Sequence, residues 1–313
     1  MSNTVPLARY RFTFRMAAAL RLPHYAGSLL RGQFGAALRR VSCMTRAPAC
    51  DGCPLRTTCP YPAVFEAPGP AAHSLQNFSH IPNPYVVEPP PLGTRHIDAG
   101  ETLQLGLVLF GHALGHLPLI SFALQRAIEG GLGKQRARGT LESIEIQHPE
   151  DGRFEPVWLA GDPAIAGHDT DFPLAADTAA PARITLQLHT PLRLQHQGHP
   201  VRPHALTPRK LIADLLRRTT LLAEFHAGRP SLVTDAPALV RHADTLAHHG
   251  ALRWLDWSRY SSRQQQEMTL GGAVGTWTLE GDLAPLLPWL WLGQWLHVGK
   301  NATLGMGHYT LAA

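Results

Sequence analysis

Four cysteines stand close together as Cys43-x6-Cys50-x2-Cys53-x5-Cys59. Thiolates at that spacing, with a Cys-x2-Cys core, suit a closed tetrahedral metal site. Such a site is structural, because all four positions are filled by protein. Zinc is the first choice, an iron–sulfur cluster the alternative, and reduced thiols packed as small hydrophobes the bland reading. The surrounding Pro-rich stretch has little core of its own, so metal binding would supply folding energy.

Two loops share the pattern Gly-Lys-x4-Gly: Gly133-Lys134 to Gly139 and Gly299-Lys300 to Gly305. Glycine lets backbone amides approach a phosphate closely, and the lysine adds charge. The order is not that of a Walker A loop, which ends in Gly-Lys and opens a helix, so a nucleotide triphosphatase is disfavoured. The bland reading is a pair of tight helix-to-strand turns. Basic residues gather near the first loop: Arg31, Arg39, Arg40 and Arg46, with Arg136 and Arg138 inside it. They form either a phosphate path or a solvated face.

RNA cleavage without metal needs a base for the 2′-hydroxyl, an acid for the leaving 5′-oxygen and a cation for the phosphorane. Among 18 histidines, His24 ranks first because it precedes a Gly-containing helix beside basic residues. Tyr25 and Arg31 are the candidate helpers; His297 and His308, flanking the last Gly loop, come next. The absence of Gly-x-Ser-x-Gly, of His-Glu-x-x-His and of a carboxylate cluster for two metals lowers other hydrolase readings.

These residues need a scaffold. At 313 residues and 44% hydrophobic, two domains are the expectation. The 28 glycines and 27 prolines predict many turns. A formal charge of +5 agrees with a polyanionic partner without establishing one. No long uncharged apolar run exists, so no membrane span is expected, and the chain reads as cytoplasmic. Alternation predicts strands at 7–15, 101–110, 140–147 and 153–158. Helices are expected at 27–40, capped by Ser28, and at 117–129, stopped by Gly130-Gly131. Residues 41–95 read as an irregular insertion. The expected domains are 1–160 and 183–313, joined by a linker over 161–182. The second half repeats the plan, with a strand at 183–194, a helix at 207–226 capped by Thr207, and strands near 252–260 and 273–280. A helix capped by Asp282 and a closing strand at 308–311 complete it.

The run Leu292-Gly-Gln-Trp-Leu-His-Val-Gly-Lys-Asn-Ala-Thr-Leu-Gly-Met-Gly-His-Tyr309 resembles the terminal glycine-rich signature of the CRISPR-associated RAMP superfamily, specifically its repeat-processing endoribonucleases. Arg259-Tyr-Ser-Ser-Arg263, residues 270–275 and 280–285, His24-Tyr25-x2-Ser28-Leu-Leu-Arg31-Gly-x2-Gly35 and Cys53-Pro-Leu-Arg-x2-Cys59-Pro-Tyr61 are similar as well. The resemblance implies an α+β fold of tandem ferredoxin-like (RRM-like) domains, here with the four-cysteine insertion in the first. It implies RNA in a basic cleft between them, contacted by Arg39, Arg40, Lys134, Arg136, Arg138, Arg263, His297, Lys300, Asn301 and His308. It further implies metal-independent cleavage of CRISPR repeat RNA, leaving a 2′,3′-cyclic phosphate and a 5′-hydroxyl. The alternatives are a non-catalytic RAMP subunit binding RNA within an effector complex, and a zinc-dependent DNA-binding module. Oligomeric state is left open.

Overall fold

The computed structural model describes residues 4–67, 69, 81–174, 180–230, 232–261 and 266–312, with the side chains of 259–269 outside the description. The chain divides into two compact units. The first is Val5–Phe172 together with Leu221–Pro230; the second is built from Pro173–Thr220 and the described residues after 231.

The first unit runs β1 (Thr4–Met16), β2 (Leu20–Leu22), α1 (Gly27–Ser42), α2 (Pro60–Phe65), β3 (Tyr85–Glu88), β4 (Arg95–Ile97), β5 (Thr102–Phe110), α3 (Leu117–Glu129), β6 (Gly139–Gln147), β7 (Phe154–Leu159) and β8 (Asp171–Pro173). Its sheet has the order β3-β5-β1-β6-β7, with β8 also on β1, while β2 pairs with β4. Alternation in β1 sorts the strand's two faces. Tyr10, Phe12, Phe14 and Met16 are buried with Leu30, Phe34 and Leu38 of α1 and Ile120 and Leu124 of α3. On the other face Arg11 is held bidentate by Glu145 at 2.7 Å and Arg15 by Glu142. Each buried phenylalanine contributes about 1.5–3 kcal/mol by leaving water.

The second unit runs β9 (Arg183–Leu192), β10 (Gln195–His196), β11 (His199–Pro200), α4 (Pro208–Ala227), α5 (Ala236–Ala243), β12 (Ala247–Ser261), β13 (Gln266–Glu280), α6 (Leu287–Leu296) and β14 (Tyr309–Ala312). Its sheet order is β12-β13-β9-β14. In each unit, then, the main strands follow strand–helix–strand–strand–helix–strand, and the first strand lies between the third and the fourth. Leu211, Ile212 and Leu215 of α4 pack with Leu290 of α6 over Leu186, Leu188, Trp277 and Tyr309 of the sheet.

Several local expectations change. Ser28 lies inside the first turn of α1 rather than capping it; Ala26 holds the cap position without a side-chain bond. Residues 41–95 contain α2 and β3, and 161–182 contains β8. The hairpin β12–β13 is longer than its alternation suggested, and α5 went unforeseen although Asp235 caps it through the Ala238 amide at 2.9 Å. Asp282 caps only a turn, through Ala284, and α6 starts at Leu287. Thr207 does cap α4, accepting from the Lys210 amide at 3.3 Å.

The last turns of α4 belong to the first unit, where His226 meets the 3-10 turn Gly111–His116. The Pro82 carbonyl can only accept, so His226 donates to it from Nε2 at 2.8 Å. His226 Nδ1 then accepts from His112 Nε2, also at 2.8 Å. Among the described residues no helix is long and apolar enough to cross a membrane.

Candidate nucleic-acid interface

His24 is exposed in the turn that leads into α1, and its carbonyl accepts from the Gly93 amide at 2.9 Å. Tyr25, expected beside it as a helper, is only 5% exposed. Burial pushes its phenol well above the ordinary tyrosine value, so it stays protonated and sealed from any substrate strand. Arg31 is half-buried one turn further along α1. Its Nε donates to Tyr85 Oη at 3.1 Å, and its guanidinium lies 3.9 Å from the centre of the Phe65 ring. Arg39 turns toward the cysteine segment, donating to the Ala47 and Pro48 carbonyls.

The first Gly loop is a tight turn closed by paired bonds between Leu132 and Ala137 at 2.8 and 3.0 Å. Both of those residues are buried, while Lys134, Arg136 and Arg138 are exposed. Gly131 requires glycine: its φ is +102°, and a Cβ there would press on the Arg136 backbone at 2.7 Å. The loop and the C-terminal halves of α1 and α3 enclose a groove of about 270 Å³ with Gln33, Arg40, Arg126 and Arg136 on its walls. Arg126 was missed at the sequence level, although its position one turn before the Gly130 stop was a signal.

In the second unit the terminal loop is pinned to the end of β9. The Lys300 amide donates to the Arg193 carbonyl at 2.8 Å and the Gly307 amide to Pro191 at 3.1 Å. Gly307, at φ +73°, lies so close to the Val298 carbonyl that no Cβ would fit. Lys300 is exposed and Asn301 is left-handed at φ 66°. Below them Asp214 of α4 accepts from the Gly299 amide. Burial raises its carboxyl, against the opposing pull of Arg217, Arg218, that amide and Lys300. Arg218 is pushed down to about 10 by its own burial, partly offset by Asp214, and donates to the Leu296 carbonyl at 3.0 Å.

His297 is fully buried. Its Nδ1 donates to the Met306 carbonyl at 3.2 Å, since that oxygen can only accept. Its ring stacks on His308 at 4.8 Å and 10°, and His308 meets His189 of β9 at 5.1 Å. Asp214 and His189 were also missed. The first was legible as a carboxylate one turn ahead of two arginines; the second had no signal beyond its residue type. Arg263 lies outside the described residues.

The four cysteines are reduced and all line one cavity of about 20 Å³ between the end of α1 and the start of α2. Among the described residues no three of these sulfurs lie within 4.8 Å of one another. The structure gathers them without drawing them to ligand spacing.

Two family models match in series: the AF_1859_N N-terminal domain over residues 5–170, and the CRISPR-associated endoribonuclease Cas6 over residues 186–309. No curated protein matches. Among solved structures, a Cas6 product complex is 17% identical with a TM-score of 0.59, covering 98% of this chain and 100% of that one. Thermus thermophilus Cas6 is 17% identical at a TM-score of 0.55, with 100% of both chains covered. A chain of a partial Cas6-RT-Cas1–Cas2 complex is 17% identical at 0.57; 98% of this chain matches, but it spans only 46% of that one. At these identities the likeness is one of fold.

Proposed function

We propose that the chain, whose residues 186–309 match the CRISPR-associated endoribonuclease Cas6, is a RAMP-type, repeat-processing endoribonuclease that cuts precursor CRISPR RNA within the repeat, without a catalytic metal. We read its two strand–helix repeats as tandem ferredoxin-like domains. The observation that carries this reading is the terminal glycine loop. It lies inside the Cas6-matched segment, is held in left-handed backbone, and presents Lys300 to solvent.

In the proposed reaction His24 removes the proton from a ribose 2′-hydroxyl. The 2′-oxygen attacks the adjacent phosphorus, the bond from phosphorus to the 5′-oxygen breaks, and that oxygen takes up a proton. The products are a 2′,3′-cyclic phosphate and a 5′-hydroxyl. His24 is the candidate base because it is exposed at the entrance to α1. Arg31 supports that helix end from the Phe65 face, and Tyr25 anchors the turn by its burial. Arg40, Lys134, Arg136 and Arg138 on the first unit and Lys300, Asn301 and His308 on the second meet the RNA backbone. Delivery of the product to CRISPR effector subunits belongs to the same proposal.

The test is incubation of the purified chain with end-labelled repeat RNA in excess EDTA. We expect a single cut whose upstream fragment resists phosphatase until its cyclic end is opened, and whose downstream fragment accepts phosphate from a kinase. RNA bound but left whole would make the chain a non-catalytic subunit. Cleavage only with added magnesium would overturn the mechanism.

A further inference from the structure

The segment between α1 and α2 has almost no apolar support. Met44 is 85% and Leu55 37% exposed, and Arg46 and Gly52 hold left-handed backbone at φ 53° and 73°. Nevertheless it turns tightly. The Cys53 amide donates to the Cys50 carbonyl, and the Arg56 and Cys59 amides donate to Cys53 and Leu55. Cys43 is the residue at which α1 ends and Cys59 the one from which α2 begins. The four thiols line one cavity between the two helices.

We propose that Cys43, Cys50, Cys53 and Cys59 together bind one structural zinc ion that ties the end of α1 to the start of α2. Four thiolates are the donor set that a closed tetrahedral zinc site uses. Two negative charges would remain on such a centre, and the segment carries cations to balance them. Arg39 is fastened to the Ala47 and Pro48 carbonyls, and Arg56 lines the cavity while pairing with Asp51. The inward movement of the sulfurs is the part of the site that the ion itself supplies. Its reach extends beyond the segment, because α2 delivers Phe65 against α1 and beneath Arg31. The ion therefore takes no part in cleavage and holds a wall of the helix that follows His24.

Elemental analysis of the full-length protein, purified without chelator, should find one zinc per chain. Stepwise addition of an organomercurial to the native protein should release that zinc as four thiols react. Cys50→Ser and Cys53→Ser should each abolish the bound zinc, and the native protein stripped with a chelator should lose thermal stability and regain it on adding zinc alone. Because the serine variants can fail to fold, the mercurial titration of the unaltered chain decides. A native chain that holds no zinc and takes up none overturns the proposal. So does iron with a visible charge-transfer band, or thiols that react only after reduction, which would mean disulfides.

Discussion

Phe65 occupies the space that a side chain at position 35 would need. A Cβ on Gly35 would fall inside the Phe65 ring, which also meets Phe34 edge-on at 5.8 Å and stacks with Tyr85 at 5.5 Å. A bare patch on α1 is thus the seat of α2, and the ring seated there is the one over which Arg31 lies. Gly35→Ala puts a methyl where no space exists. We expect a loss of about 1–3 kcal/mol, the usual cost of overpacking a core, measured by urea unfolding. Unchanged stability would mean that α2 does not sit on α1 in solution.

His24→Ala should slow single-turnover cleavage of repeat RNA by roughly 100-fold or more, the range expected when a general base is removed. Affinity for the RNA should stay near that of the parent. If the variant cuts at the parental rate, the base is to be sought at His308, because the fully buried His297 is as closed to a substrate strand as Tyr25.

Removing the charge of the terminal loop should act on binding rather than on chemistry. Lys300→Ala should weaken RNA affinity and make its dependence on salt shallower by roughly one unit of slope, as for the loss of one phosphate contact. Equal affinity at every salt concentration would take Lys300 out of the RNA path.

His112 gives the first unit a pH dependence. Burial, and secondarily the nearby His116, hold its imidazole below the ordinary histidine value of 6.5. The folded state therefore binds fewer protons than the unfolded one between the two values. Its stability is full above 6.5 and declines as the pH falls from there through the lower folded-state value. Thermal midpoints measured across that window should drop on the acid side, and His112→Gln should reduce the drop. A midpoint independent of pH in the parent protein would remove the effect.

The regular elements were legible wherever a local rule agreed with the core. The alternation of Tyr10, Phe12 and Phe14 marked β1, and Gly130-Gly131 ended α3 where a helix stop should lie. Tertiary packing decided the failures. Ser28 carries the right side chain for a cap, yet Tyr25 and Ala26 are buried and the cap falls two residues sooner, at Ala26. Charge counting placed Arg39 beside RNA because sequence does not show that its guanidinium is spent on loop carbonyls. Tyr25 was drawn toward the chemistry by its neighbour His24, although adjacent residues can point to opposite environments. Asp214 has Arg217 and Arg218 one turn away on its own helix, but its bond from the Gly299 amide comes from a distant loop that no local window contains.

The position of β1 has a consequence for how the chain is made. It precedes both of its partners in the chain and is a central strand in its sheet: Tyr10 pairs with Leu107 on one side and Ile146 on the other. Both edges of an early, apolar strand must wait for partners encoded far downstream, and closing such long intervals is entropically slow. A nascent chain therefore carries an unsatisfied template for mispairing until β6 is out.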